Sequence, residues 1–286
     1  MATSLLKHGV KRAFNLVGLE VTRKIKSDRS EVQYLRHSWV GVLRHARDVG
    51  FLPATVIDVG AAFGQFSLNC HSVFPEASYI LIEPLEENRL CLEELIRRVP
   101  RSEFLLAAAT ARSGDYTISV SPDLLGSSMF LDDGDSSNGV HRIIPGITLD
   151  SLEDRLKPPI LLKVDVQGGE IDVLRGGEKI ISGVESAILE VSFFEFYRGG
   201  LVCDDVIAFM KSKGFVVYDL FEPLYRPLDG ALAQVNVVFV KEEGMFRKHH
   251  SYATREQGER QIATLKTLRE KAIDGTFGHR IRRLQT

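Results

Sequence analysis

Thr55-Val56-Ile57-Asp58-Val59-Gly60-Ala61-Ala62-Phe63-Gly64-Gln65-Phe66 reads as a short β-branched run, a glycine-bounded turn and the start of a helix. In an open parallel sheet, ligands sit in the crevice outside the carboxyl ends of the strands, near such a turn. A glycine there has no Cβ and tolerates positive φ, so backbone can approach a ligand. The dinucleotide fingerprint asks for glycine at three positions, which counted from Gly60 are Gly60, Ala62 and Gln65; only the first is filled. The missing second glycine is the one that lets backbone close on a pyrophosphate. A phosphate-binding Gly-Lys-Ser/Thr is also absent after the turn.

What remains is an acid at the strand end, Asp58, with Gly60 and Gly64 behind it. A second strand, Ser78-Tyr79-Ile80-Leu81-Ile82, ends in Glu83-Pro84. An acid at the tip of the second strand, about 20 residues on, is placed to accept hydrogen bonds from ribose hydroxyls. A nucleoside-type ligand without pyrophosphate fits, and the arrangement resembles the S-adenosylmethionine site of class I methyltransferases. The plainer account makes the glycine turn a tight connection only; Asp58 and Glu83 in register with it favour the ligand.

The whole chain has 286 residues, 44% of them hydrophobic, enough for a large buried core in one or two domains. A formal charge of −2 gives no sign of a nucleic-acid binder. Cys70, Cys91 and Cys203 are scattered without Cys-x-x-Cys spacing, which suggests reduced thiols and a cytoplasmic location. No apolar run approaches the ~18 residues of a membrane span. The chain divides into a basic extension over 1–29, a helix bordering the domain over 30–50, the main domain over 51–242 and a helical extension over 243–286. The first of these is no secretory signal, because Lys7, Lys11 and Arg12 interrupt its apolar residues. Packing on the domain or disorder is its bland account, weak contact with an anionic surface the sharper one. In the helix, Ser30 is placed to cap, and Val32, Leu35, Trp39, Val42, Leu43 and Ala46 form the apolar stripe, with Trp39 read as core. The basic C-terminal helix, expected over 254–272, is a solvated surface helix or a contact for a phosphate-bearing or membrane-bound acceptor.

Beyond Glu83, a helix is expected over 86–98 and a third strand over 103–109. The Ala107-Ala108-Ala109 end of that strand either leaves room for a flat ring or packs closely. A half-exposed strand follows over 115–120, then a Gly-, Ser- and Asp-rich loop over 121–139, long enough to suggest function or disorder. A short strand over 140–144 comes next. The second informative stretch is Ile160-Leu161-Leu162-Lys163-Val164-Asp165-Val166-Gln167-Gly168-Gly169-Glu170, an apolar strand interrupted by two charges and ended by a Gly-Gly turn. A charge in a central strand costs several kcal/mol of desolvation unless paired. The two-residue period puts Lys163 and Asp165 on one face, where they pair with each other or serve a ligand. This strand is expected beside the first, with its tip on the same crevice. Strands over 186–192, 215–220 and 235–240 and a helix over 204–213 complete a doubly wound, mostly parallel seven-stranded α/β sheet with an antiparallel strand near its edge.

Taken together, Asp58-Val59-Gly60-Ala61-Ala62-Phe63-Gly64, Ile82-Glu83-Pro84, Thr148-Leu149-Asp150, the run from Leu162 to Gly177 and Leu189-Glu190-Val191 resemble the FkbM family of S-adenosylmethionine-dependent methyltransferases. The resemblance runs in order from about Val56 to Val240; Gly169 departs from the alanine more common there. It implies methyl transfer, usually to an oxygen of a sugar, polyketide-like or lipid-linked acceptor, with S-adenosyl-L-methionine as cofactor. The cofactor residues it implies are Asp58, Gly60, Ala61, Gly64, Phe66, Glu83, Pro84, Ala108, Ala109 and Asp165. The cofactor carries the reactive group, so the protein binds, aligns and desolvates. A base helps a hydroxyl acceptor by roughly 10²–10⁴-fold. Asp165 is the first candidate, with Glu190 and Glu170 next; Lys163 is expected to keep a carboxylate ionised. For Glu170 the plainer account is charge stabilisation of a helix start. His141 serves as base only if its loop folds over the site. Asp165 and Glu190 could share a Mg²⁺ with another oxygen donor, but nothing in the spacing demands one, and no metal is expected. An active methyltransferase and a binding or scaffolding protein that kept only the fold both remain open; intact Asp58, Gly60, Gly64, Glu83 and Asp165 favour the enzyme. The identity of the acceptor rests on the loop over 121–139.

Overall fold

The computed structural model describes residues 35–130 and 140–274. Seven strands form one sheet in the order β3-β2-β1-β7-β8-β10-β9. These are β1 (Thr55–Val59), β2 (Ser78–Ile82), β3 (Ser102–Leu105), β7 (Ile160–Val164), β8 (Val184–Ser192), β9 (Phe215–Tyr225) and β10 (Leu232–Lys241). β1 pairs in parallel with β2 on one side and β7 on the other, and β7 with β8. β10 runs antiparallel to both β8 and β9, one strand in from the edge, after a hairpin turn whose Gly230 has φ +74°. Strand order reverses at β1, between β2 and β7, which is where open α/β sheets form their crevice.

β1 and β7 are buried along their whole length, as expected of central parallel strands covered on both faces. One core layer joins Ile57, Leu162, Leu189 and Val237 on one face; the other joins Val56, Leu81, Leu161 and Phe221. The covering helices are α1 (Trp39–Asp48), α2 (Gln65–Val73), α3 (Arg89–Arg98), α4 (Glu170–Arg175) and α5 (Cys203–Ser212). A further helix, α6 (Arg255–Ile273), buries none of its residues and is capped by Thr254, whose Oγ1 accepts from the Gln257 N–H.

Several boundaries differ from the sequence reading. Leu35 to Ser38 are not helical; α1 starts at Trp39, with the Ser38 hydroxyl accepting from the Gly41 N–H at 3.3 Å. The cap expected at Ser30 lies outside the described residues. Trp39 is core, edge-on to Phe66 and Phe221 with ring centroids 5.2 and 4.8 Å away. The helix expected over 86–98 begins as a 3-10 turn, Glu86–Asn88, before α3. The third strand stops at Leu105, and Ala108–Ala109 becomes β4 of a separate sheet, in the order β4-β6-β5. In that sheet β5 is Gly114–Val120 and β6 is Val140–Ile147. Strands over 115–120 and 140–144 are in the sequence reading, but not their union with Ala108–Ala109 in a second sheet, whose Ala108, Ala109 and Ile118 line the cavity described below. Among the described residues, no helix is long and apolar enough to cross a membrane.

Candidate active site

The tips of β1 and β7 are locked together before any ligand is considered. Gly60 has φ +70°, and a Cβ placed on it would lie 1.8 Å from the Asp165 carbonyl oxygen. The Asp165 N–H donates to the Val59 carbonyl at 3.1 Å. Beneath this junction Lys163 is buried, its Nζ 2.7 Å from the Gly60 carbonyl, 3.4 Å from Asp58 Oδ1 and 3.7 Å from Asp165 Oδ2. Burial alone would lower the Lys163 pKa, but the surrounding carboxylates, Asp58 foremost, outweigh it and raise it. The pairing foreseen for Lys163 is therefore made twice.

Above the junction lies a cavity of about 440 Å³, within the range of small-ligand and cofactor sites. Seven of the sequence-derived candidates line it: Gly60, Glu83, Pro84, Ala108, Ala109, Asp165 and Glu190. Five do not. Asp58 is fully buried below, its Oδ2 accepting from the Ser67 hydroxyl at 2.7 Å, so it braces the turn from underneath. Lys163 is spent on the contacts just described. Ala61 donates its N–H to the Ile82 carbonyl at 3.1 Å. Gly64 is the left-handed residue preceding α2, with φ +84°, and Leu95 stands 2.2 Å from where its Cβ would be. Phe66 packs on Trp39. These five hold the frame of the site.

Glu83 sits at the end of β2 with its carboxylate already engaged. Oε2 accepts from the Ala62 N–H at 2.8 Å; Oε1 accepts from the Leu85 N–H at 2.9 Å and from Asn88 Nδ2 at 3.1 Å. Burial pushes its pKa up, and these donors oppose the push. The β2 acid thus shapes the glycine turn as well as facing the cavity.

At the other end, three acids meet. Glu190 of β8 has Oε2 bonded by Gln167 Nε2 at 3.0 Å and Gln234 Nε2 at 2.8 Å. Its pKa is pushed up to about 8, first by burial and then by Asp165 and Glu170. Glu170, the first residue of α4, uses Oε1 to accept from the Val166 and Gly168 N–H groups at 3.3 and 3.1 Å. Burial raises it to about 7. It closes the turn after β7 and does not line the cavity; the two N–H groups it accepts from belong to the turn and not to the start of α4.

Sequence reasoning missed the cavity residues Asn88, Leu224 and Gln234, uncharged side chains without a motif of their own, and gave no role to Gln167 within the run from Leu162 to Gly177. The segment 123–129 also lines the cavity, so the described part of the long loop is indeed a wall. His141 lies on β6 and lines a separate hollow with Thr117, Ser119, Met129 and Phe130, not the cavity that holds the acids. Two motif residues prove architectural: Asp150 Oδ1 accepts from the Lys179 and Ile180 N–H groups at 2.9 and 3.1 Å, and a Cβ on Gly176 would lie 2.1 Å from the Thr110 carbonyl oxygen. Among the described residues, no group of three or more histidine, cysteine or acidic side chains could hold a metal ion.

A family model described as "Methyltransferase FkbM domain" matches residues 58–217. A search of curated proteins returns no significant match. Among solved structures, a precorrin-6y C5,15-methyltransferase from Geobacter metallireducens superposes with a TM-score of 0.40 at 9% identity, covering 76% of this chain and 94% of the other. A 1,6-didemethyltoxoflavin-N1-methyltransferase from Burkholderia thailandensis, with bound 1,6-didemethyltoxoflavin and S-adenosylhomocysteine, gives 0.42 at 10% identity, covering 72% and 79%.

Proposed function

The chain belongs to the FkbM methyltransferase family, and on that premise we propose that it transfers a methyl group from S-adenosyl-L-methionine to a hydroxyl oxygen of an uncharged acceptor, of the sugar, polyketide-like or lipid-linked kind. The observation that carries this reading is the chemistry of the cavity wall. Among the described residues it holds four carboxyl groups, from Glu83, Asp123, Asp165 and Glu190, and no lysine, arginine or histidine. Such a wall suits a ligand that brings cationic sulfonium and ammonium groups together with ribose hydroxyls, and it disfavours a phosphate-bearing acceptor. The residues fit the cofactor: Glu83 would accept from ribose hydroxyls, Ala108 and Ala109 leave flat space beside it, and the Gly60 turn supplies bare backbone.

When bound, S-adenosylmethionine supplies an electrophilic methyl group. The protein's own part is to orient the acceptor and take its proton. Asp165 stands at the tip of β7, backed by Lys163, and would accept the hydroxyl proton; Glu190 would bind the acceptor beside it. The acceptor is read at the Asp165–Glu190 end, where Gln167 Nε2 lies 3.0 Å from a carboxyl oxygen of each acid. A cytoplasmic location belongs to the same reading.

Calorimetric titration with S-adenosylmethionine and S-adenosylhomocysteine tests it directly. Saturable binding that weakens in Glu83→Ala is expected; no binding of either at millimolar concentration would remove the methyltransferase reading.

A further inference from the structure

Resting on the assignment of this cavity to methyl transfer, we propose that Gln167 is a positioning residue that fixes Asp165 and Glu190 as one hydrogen-bonded pair and ties that pair to the segment 123–129 walling the cavity. Both amide hydrogens of its side chain are committed, Nε2 lying 3.0 Å from Asp165 Oδ1 and 3.0 Å from Glu190 Oε2. Its Oε1 accepts from the Tyr197 hydroxyl at 3.1 Å, and that hydroxyl also lies 3.3 Å from the Gly126 carbonyl. Its main-chain carbonyl accepts from the Ser128 hydroxyl at 2.6 Å. One residue thereby joins two acids from neighbouring strands to two points of the wall.

The backbone supports the same role. Gln167 has φ +57°, a left-handed conformation that costs a non-glycine residue free energy and persists where surrounding contacts enforce it. The next residue, Gly168, has φ +101°, and the Tyr197 ring lies 3.4 Å from where its Cβ would stand. Across the turn, a Cβ on Gly169 would lie 3.5 Å from the Phe130 ring and 3.9 Å from the Met129 methyl. The turn is filled from both sides, by Tyr197 and by the end of the wall segment.

The charges explain why a bridge is needed. Facing Glu190 are Asp165 and Lys163 of β7, Glu170 of α4, and the amides of Gln167 and Gln234. Two carboxyl groups set side by side resist simultaneous ionisation. An amide donating to both lowers that resistance and fixes their spacing, so that the Asp165 oxygens and Glu190 Oε1, which makes no protein hydrogen bond among the described residues, can meet one hydroxyl.

The test uses the full chain labelled with ¹³C at the glutamate carboxyl carbon, with the Glu190 resonance identified by its loss in Glu190→Gln. Gln167→Ala should raise the Glu190 titration midpoint by about one pH unit, because a donor that favours its charged form is gone. Tyr197→Phe, which removes one hydroxyl and keeps the ring on Gly168, should raise it less, speed amide exchange at Ser128, and leave S-adenosylhomocysteine affinity unchanged. A Glu190 midpoint that stays put in Gln167→Ala overturns the proposal; should that variant not fold, an unmoved midpoint in Tyr197→Phe does so. Absence of cofactor binding by the wild-type chain would remove the methyl-transfer assignment alone, since the carboxyl titration is read without any ligand.

Discussion

Lys163 and Asp58 are register partners on adjacent central strands, and their charged groups stand 3.4 Å apart with almost no access to solvent. Neither faces the cavity. Their pairing holds the glycine turn of β1 against the acidic tip of β7, and everything above depends on that junction.

Replacing Lys163 by methionine should therefore destabilise the fold by about 3–5 kcal/mol, since it leaves Asp58 buried without its partner. Exchanging both residues, Asp58→Leu with Lys163→Met, should cost clearly less. Chemical denaturation of the two variants gives the comparison, and equal losses would mean that the pairing of charges is not what matters.

Gly60→Ala should be far more damaging than Gly214→Ala. Both glycines have positive φ, +70° and +81°, so both substitutions carry the conformational cost of about 1 kcal/mol. Only at Gly60 does the new methyl meet backbone, the Asp165 carbonyl, whereas nothing lies within 4 Å at Gly214. Thermal unfolding of the pair separates close approach from dihedral strain, with loss of S-adenosylhomocysteine binding expected for Gly60→Ala alone.

Glu83→Ala should weaken cofactor binding by about 1–3 kcal/mol, the loss of hydrogen bonds to a charged group in a buried site. It should also lower stability, because the Ala62 and Leu85 N–H groups and Asn88 lose their acceptor. Calorimetry and denaturation on the same variant read the two effects; unaltered affinity would take Glu83 out of the cofactor site.

Stability should fall as pH rises toward 8. Glu170 and Glu190 are lifted from 4.5 to about 7 and about 8, so the folded state holds protons that the unfolded chain has released. The stabilisation is complete below about 4.5 and is lost as pH climbs through the raised values. Urea midpoints across that window should decline for the wild type and flatten in Glu170→Gln and Glu190→Gln; parallel curves in all three would contradict the assignment.

Asp165→Asn should reduce methyl transfer by roughly 10²–10⁴-fold while sparing S-adenosylhomocysteine affinity. Comparing metabolites from cells carrying the wild type and the variant for the gain of one methyl group measures it and points to the acceptor. Equal methylation would exclude Asp165 as the base.

The frame of the site was legible because it depends on backbone. Gly60, Gly64 and the tips at Glu83 and Asp165 follow from strand–turn–helix patterning, and the pairing of Lys163 follows from the cost of burying a charge in a central strand. Three things were not legible. Which face a turn residue presents depends on contacts distant in sequence, so Ala61, Gly64 and Phe66 went to the cavity on paper and to the core in space. The start of α1 turned on which of two serines caps it, a choice made by Ser38 and the Gly41 N–H. Gln167 stands inside the Leu162–Gly177 run but carries no charge, Gln234 has neither charge nor motif, and their importance arises only when β7, β8 and β10 bring them to Glu190.

The 1.8 Å clearance at Gly60 also divides the site into a half that can drift and a half that cannot. No side chain larger than hydrogen is compatible with that contact, so Gly60 admits no exchange that keeps the junction of β1 and β7. New acceptors would be accommodated by exchanging Leu125 or Leu224, which line the cavity, and libraries aimed at changed selectivity should begin there.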